Sequence, residues 1–154
     1  MVNLTWQEAR DFCKWAGGDL PTEAQWEKAA RGRHGQIYPW GDVFDPSRLR
    51  CSKGTYGDAN STAPVGSYPE GASPYGCLDM AGNVCQFCLD WYAPMTTEKE
   101  VRNPTGPEVG TDHMMKGGSW FTWQPTEFDS AGRHFHMSPD KFNIATGFRL
   151  VCPQ

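Results

Sequence analysis

A chain of 154 residues with a formal net charge of −4, 14 Lys and Arg against 18 Asp and Glu, is one domain's worth of polypeptide, spanning 1–154 as a single unit. The acidic balance argues against nucleic acid as the main partner, because phosphate neutralisation needs clustered basic side chains and Arg31-Gly32-Arg33-His34 is a short cluster. No apolar run approaches the roughly 20 residues of a membrane span, and the first fifteen residues lack the layout of a signal peptide, so the default expectation is a soluble, cytoplasmic chain.

With 17 Gly, 12 Pro and 21% charged residues, regular structure must be broken by many turns. Seven Trp, eight Phe and five Tyr supply the buried area that such a loop-rich chain needs to offset its ordering entropy. Six cysteines are compatible with one or two disulfides or with none, which leaves the redox compartment open.

The first helix is predicted from Thr5 to Ala16. Thr5 and Glu8 form a capping box, Trp6, Ala9, Phe12, Cys13 and Ala16 make one apolar face, and Gly17-Gly18 ends it. Thr22 and Gln25 form the same box for a second helix, which Gly32 stops, with Trp26, Ala29 and Ala30 facing inward. Two short helices joined by so few residues are expected to pack as a pair. Glu23 and Glu27 read as a first-turn dipole partner and a surface charge.

From Tyr38 to Gly71 the sequence is a series of turns. So long a stretch needs pinning, by burial of Trp40 and Tyr68, by a disulfide through Cys51, or by a cation on Asp58 and Asn60. Asp79-Met80-Ala81-Gly82-Asn83 is a tight turn feeding a strand that begins at Val84. On that strand Cys85 and Cys88 lie three apart, so their sulfurs face opposite sides and the pair reads as structural rather than as a redox or zinc motif.

The last quarter is framed by Lys116-Gly117-Gly118-Ser119-Trp120, a turn into a strand, and by a closing strand Gly147-Phe148-Arg149-Leu150-Val151. Between them lie about thirty residues without hydrophobic period but dense in aromatic, hydroxyl and imidazole groups. Trp120, Phe121, Thr122, Trp123, Glu127, Phe128, Arg133, His134, Phe135 and His136 are the candidate contact residues, because Trp, Tyr and Arg dominate binding hot spots. His134 and His136 share a strand face, and with Glu127 or Asp129 they would imitate a two-His-one-carboxylate iron site. Arg149 reads as structural, and Arg133 as either a ligand clamp or an ion-pair partner.

Val2-Asn3-Leu4-Thr5-Trp6, the run Trp15 to Gly32, Tyr38-Pro39-Trp40-Gly41, Thr62 to Pro69, Asp79 to Val84, Gly117 to Trp120 and Gly147 to Leu150 together resemble the formylglycine-generating enzyme (sulfatase-modifying factor) family. The resemblance implies an α+β, C-type-lectin-like fold of the formylglycine-generating-enzyme type: a small twisted antiparallel sheet, two helices and many loops. It also implies a choice of functions, since the family's oxidases use copper, while the similar variable proteins of diversity-generating retroelements bind ligands without catalysis. The oxidases place two cysteines five residues apart just after the Gly-Gly-Ser-aromatic block, where this chain has Thr122 and Glu127. Copper(I) requires soft thiolates, so copper and oxidase chemistry are expected to be absent. What remains is a recognition domain for a protein, peptide or small molecule, with an oxidoreductase using another metal set as the alternative.

The family's calcium site maps to Asp79, the carbonyls of Gly82 and Val84, and Gln86, which stands where the family has a Glu and so implies a weakened site. The chain also starts short of the strand that precedes Val2-Asn3 in the family, which implies an open sheet edge.

Overall fold

Both predicted helices start where their capping boxes place them. The structure, a computed structural model, describes residues 1–52, 60–94 and 102–152. Helix α1 spans Trp6–Trp15, with the Glu8 N–H donating to Thr5 Oγ1 at 3.3 Å and the Thr5 N–H donating to Glu8 Oε2 at 2.8 Å. Helix α2 spans Glu23–Arg31, closed by the reciprocal bonds of Thr22 and Gln25 and ended by Gly32 at φ +67°. Each cap of this kind contributes about 1 kcal/mol.

Four strands follow: β1 Cys85–Trp91, β2 His113–Lys116, β3 Phe135–Met137 and β4 Thr146–Gly147, in the order β3-β2-β1-β4. β1 and β2 are antiparallel, with Gln86 opposite Lys116 and Phe87 opposite Met115, and the register shifts before Trp91 meets His113. β3 runs antiparallel to β2, with His136 opposite Met114. β4 is parallel to β1, so the sheet is mixed rather than purely antiparallel as expected: the chain crosses from the β3 edge to the β4 edge before it closes. The predicted closing strand is also shorter. Only Thr146 and Gly147 pair with β1, and Val151 instead bridges Asp19.

The helices do not pack as a pair. Trp6, Ala9 and Cys13 of α1 bury against Leu20, Cys85, Phe87 and Met115, whereas Trp26 and Ala30 of α2 bury against Met80, Cys88 and Met114. Side chains alternate across a strand, so these two sets lie on opposite faces and the sheet is held between the helices. Phe12, expected inward, is 42% exposed and packs against Trp15 and Phe148 on the outside of α1.

All six cysteines are thiols rather than disulfides. Cys85 and Cys88 fall in the separate cores, as their spacing predicts, and burial pushes the Cys85 thiol up to about 12. The turn-rich stretch is pinned by a third cluster, Tyr38, Leu49, Cys51, Ala81 and Phe128, with Trp40 stacked on Tyr38. Asp58 lies outside the described residues, and Asn60 is exposed.

Asn83 ties the loops to the sheet. It sits at φ +62°, and its side chain pairs with Ala63 as a second backbone would: Oδ1 accepts the Ala63 N–H at 3.0 Å and Nδ2 donates to the Ala63 carbonyl at 3.2 Å. Its own N–H donates to Arg50 O at 2.8 Å, and its carbonyl accepts the Trp120 N–H at 2.9 Å. Asn83→Ala should cost about 3 kcal/mol, from two lost buried bonds and a strained positive φ, and Asn83→Gly about 2 kcal/mol, from the bonds alone. Chemical denaturation midpoints check both values and their order.

Candidate functional site

The framed insert starts with two glycines at φ +92° and +66°, Gly117 and Gly118. A Cβ on Gly118 would meet the Phe128 ring at 2.8 Å, so only glycine lets the chain leave β2 here. Instead of continuing as a strand, residues 119–122 form a turn. The Thr122 N–H donates to Ser119 O at 3.0 Å, the Ser119 N–H donates to Thr122 Oγ1 at 3.1 Å, and the Phe121 N–H donates to Ser119 Oγ at 3.2 Å. The hydroxyls are thereby buried, while Phe121 is 70% and Trp123 47% exposed. Trp120 meets Phe121 edge-on at 5.6 Å and donates its indole N–H to Ile144 O at 3.2 Å, bringing exposed Ile144 beside the two rings.

Several expected contact residues lie elsewhere. Phe128 is fully buried against Phe44 in the third core, and Thr122 spends its hydroxyl inside its own turn; both are corrections to the contact surface read from sequence. Phe135 packs partly buried on the α1 face. Arg133 resolves as an ion-pair partner: its Nε donates to Glu23 at 2.8 Å, its Nη1 donates to Ala93 O at 2.7 Å, and its guanidinium lies 5.6 Å over the Tyr92 ring.

Glu23 and Glu27 are more than surface charges. They flank Lys116, which is buried in the sheet face beneath α2, with its Nζ donating to Gly132 O at 2.8 Å and standing 3.6 Å from Glu23 and 3.8 Å from Glu27. Lys116 is a further member of this network that is not among the residues singled out from the sequence. The signal was its place two residues after Met114, which alternation puts on the buried α2 face. Asp90 joins the same network by accepting the Glu23 N–H at 2.7 Å, and burial raises its carboxyl above the usual carboxylate range.

His134 and His136 are exposed at the β3 edge. His136 Nδ1 lies 2.5 Å from Asp112, and its ring stacks on Tyr92 at 4.1 Å. No group of three or more His, Cys, Asp or Glu able to hold a metal occurs among the described residues, so His134 and His136 are not joined there by Glu127 or Asp129. β3 and β4 are opposite edges of the sheet, and Trp120 bonds to Ile144, two residues before β4, so the imidazoles and the Trp120 ring stand at different edges. A third feature, a notch of about 300 Å³ lined by Glu27, Lys28, Arg31 and Arg33, lies at the C-terminal end of α2, where Lys28 donates to the Gly32 carbonyl and Arg31 to the Gly35 and Gln36 carbonyls of the following loop.

At the Asp79 turn, Asp79 sits at φ +55° with Oδ2 accepting the Gly66 N–H at 2.7 Å. Gln86 Nε2 donates to the Asp79 carbonyl at 2.6 Å, and Gln86 Oε1 accepts from Trp26 Nε1 at 2.9 Å and Arg149 Nη1 at 3.1 Å. Indole and guanidinium only donate, so the amide orientation is fixed and its oxygen is committed. Gln86 therefore does not fit a role as a calcium ligand. Arg149 is structural, as expected; it also donates to Leu78 O at 3.4 Å, and burial lowers its pKa.

The sulfatase-modifying factor enzyme 1-like domain model matches residues 1–153. The chain is 41% identical over 166 residues to the formylglycine-generating enzyme of Streptomyces coelicolor, a match covering 98% of this chain and 52% of that protein. It is 38% identical over 155 residues to the serine/threonine-protein kinase pkn1 of Chlamydia caviae, covering 98% of this chain and 24% of the kinase. Thus the chain spans about half the length of one of these relatives and a quarter of the other. Among solved structures, Treponema denticola variable protein 1 superposes with a TM-score of 0.76 at 29% identity, covering 86% of this chain and 46% of that one.

The division between core and surface aromatics is measurable. Phe128→Ala should lose about 3–5 kcal/mol of stability, and Phe121→Ala about 0.5 kcal/mol or less, as read by denaturant unfolding.

Proposed function

The chain belongs to the sulfatase-modifying factor enzyme 1-like domain family, and we propose that it is a non-catalytic recognition domain whose contact surface is the Trp120, Phe121 and Trp123 face. One observation carries the reading: the turn after Gly118 hides its hydroxyls and turns its aromatic rings outward. Where the family's oxidases hold copper thiolates, Thr122 is buried and bonded to Ser119, and a hydroxyl cannot replace a thiolate for copper(I). Large rings held on a fixed turn bring contact area at little entropic cost, which suits a protein, peptide or small-molecule ligand. The likeness to the Treponema denticola variable protein supports the same reading, as a domain of the retroelement variable-protein type.

A second reading, an oxidoreductase with a non-cysteine or partner-supplied metal, draws on the 41% identity to the Streptomyces coelicolor enzyme. A structural calcium ion belongs to either reading, held by Asp79 and the carbonyls of Gly82 and Val84 without Gln86. With so few charged ligands, its affinity should be no tighter than about 10⁻⁴ M, as calorimetric titration with calcium would show.

Affinity capture compares the wild-type chain with the Phe121→Ala, Trp123→Ala double variant. The double variant should retain about a tenth or less of the captured ligand at an unchanged melting temperature. Equal capture by both chains would sink the proposed surface.

A further inference from the structure

His113, the first residue of β2, plays no part in the binding surface, yet it is 1% exposed at the junction of α1 and the sheet. Its ring is sandwiched between two indoles. Trp6 of α1 lies 3.7 Å away at 3°, and Trp91 of β1 lies 3.8 Å away at 21°. Nδ1 lies 3.1 Å from Leu89 O and 3.3 Å from Asp90 O. Carbonyls only accept, so Nδ1 carries the proton and Nε2 presents a bare lone pair. That Nε2 is buried with no hydrogen-bond partner among the described residues.

A second proton would go to Nε2, which is buried and faces no acceptor among the described residues. The groups around the ring act in both directions, the two indole faces favouring a cation while burial opposes it and outweighs them. From α1, the Arg10 guanidinium already lies 5.2 Å over the Trp6 indole, so an imidazolium would press a second cation against the same ring. From β1, Asp90 offers His113 its carbonyl while its carboxylate accepts the Glu23 N–H. From the approach to β2, Asp112 favours the cation, but it is already bonded to His136. Burial accordingly holds the His113 pKa below the ordinary imidazole value.

We propose that His113 is a proton-sensitive latch: neutral, it clamps the first turn of α1 to the sheet through Trp6, and protonated, it releases that turn. The helix is the element poised to respond. It is seated by only three buried side chains, Trp6, Ala9 and Cys13, and Trp6 is the large one, anchored further by its indole N–H to Cys88 O at 2.8 Å. Release would expose the underside of α1 next to Phe12, Trp15 and Phe148, adding apolar surface in acid.

The sign follows from proton counting. The latched state binds fewer protons than the open one, so the latch is fully closed above about pH 6.5 and its opening constant rises by up to about tenfold per pH unit below that. The rise ends below the depressed pKa of the latched state, where both states hold the proton.

Hydrogen exchange of the α1 and α2 backbone amides from pH 7.5 to 5.0, corrected for intrinsic rates, tests this in the wild type and in His113→Phe, which keeps a flat ring between the indoles but cannot titrate. The expected result is a steep acid increase in α1 opening in the wild type, little change in α2, and a flat α1 response in the variant. An unchanged wild-type α1, joint opening of both helices, or the same acid response in His113→Phe would overturn it. Should the variant fail to fold, an NMR titration of the wild-type imidazole decides. A midpoint below the ordinary value, at the pH where the rise in α1 opening levels off, supports the latch, and any other midpoint refutes it.

Discussion

The interaction on which the rest of the structure depends is the four-way anchorage of Asn83. At a positive φ beside β1 it pairs its side chain with Ala63, its N–H with Arg50 and its carbonyl with Trp120, while neighbouring Gly82 donates to Gly117 O at 2.8 Å. A sheet whose strands run seven, four, three and two residues cannot order so much irregular chain by its own ladder. Asn83 lets one side chain do the work of an additional strand segment. It also fixes where Trp120 leaves the frame, and so where the exposed rings stand.

The two faces of the sheet are built differently. The α1 face is apolar and aromatic, with His113 stacked in its rim. The α2 face mixes Trp26, Met80 and Met114 with charge: Lys116 beneath Glu23 and Glu27, Arg133 on Glu23, and Gln86 between Trp26 and Arg149. Buried charges of this kind are tolerable only when satisfied: Lys116 and Arg133 face Glu23, and Arg149 donates to Leu78 O and Gln86 Oε1. This network holds residues 132–133 down against α2, which is why Arg133 belongs to the scaffold.

Local rules were legible in the sequence and long-range ones were not. Capping boxes at Thr5 and Thr22, the stop at Gly32 and the divergence of Cys85 and Cys88 all follow from neighbours a few residues apart. The motif blocks carried the family and the fold. The parallel return of β4, the separation of the helices by the sheet and the burial of Lys116 depend on contacts between residues far apart in sequence, which periodicity does not encode. For the same reason Phe128 and Phe121, seven residues apart and alike in type, could not be sorted into core and surface before the turn between Ser119 and Thr122 was seen.

On a scaffold similar to a formylglycine-generating enzyme and to a variable protein, this chain sets the buried Thr122 hydroxyl between the exposed rings of Phe121 and Trp123. Oxygen uptake by the copper-supplemented chain with a cysteine-containing sulfatase peptide separates the two functions most directly. A recognition domain should consume no oxygen beyond the protein-free control and leave the peptide unchanged. Chain-dependent oxygen uptake with conversion of the peptide cysteine to formylglycine would contradict it.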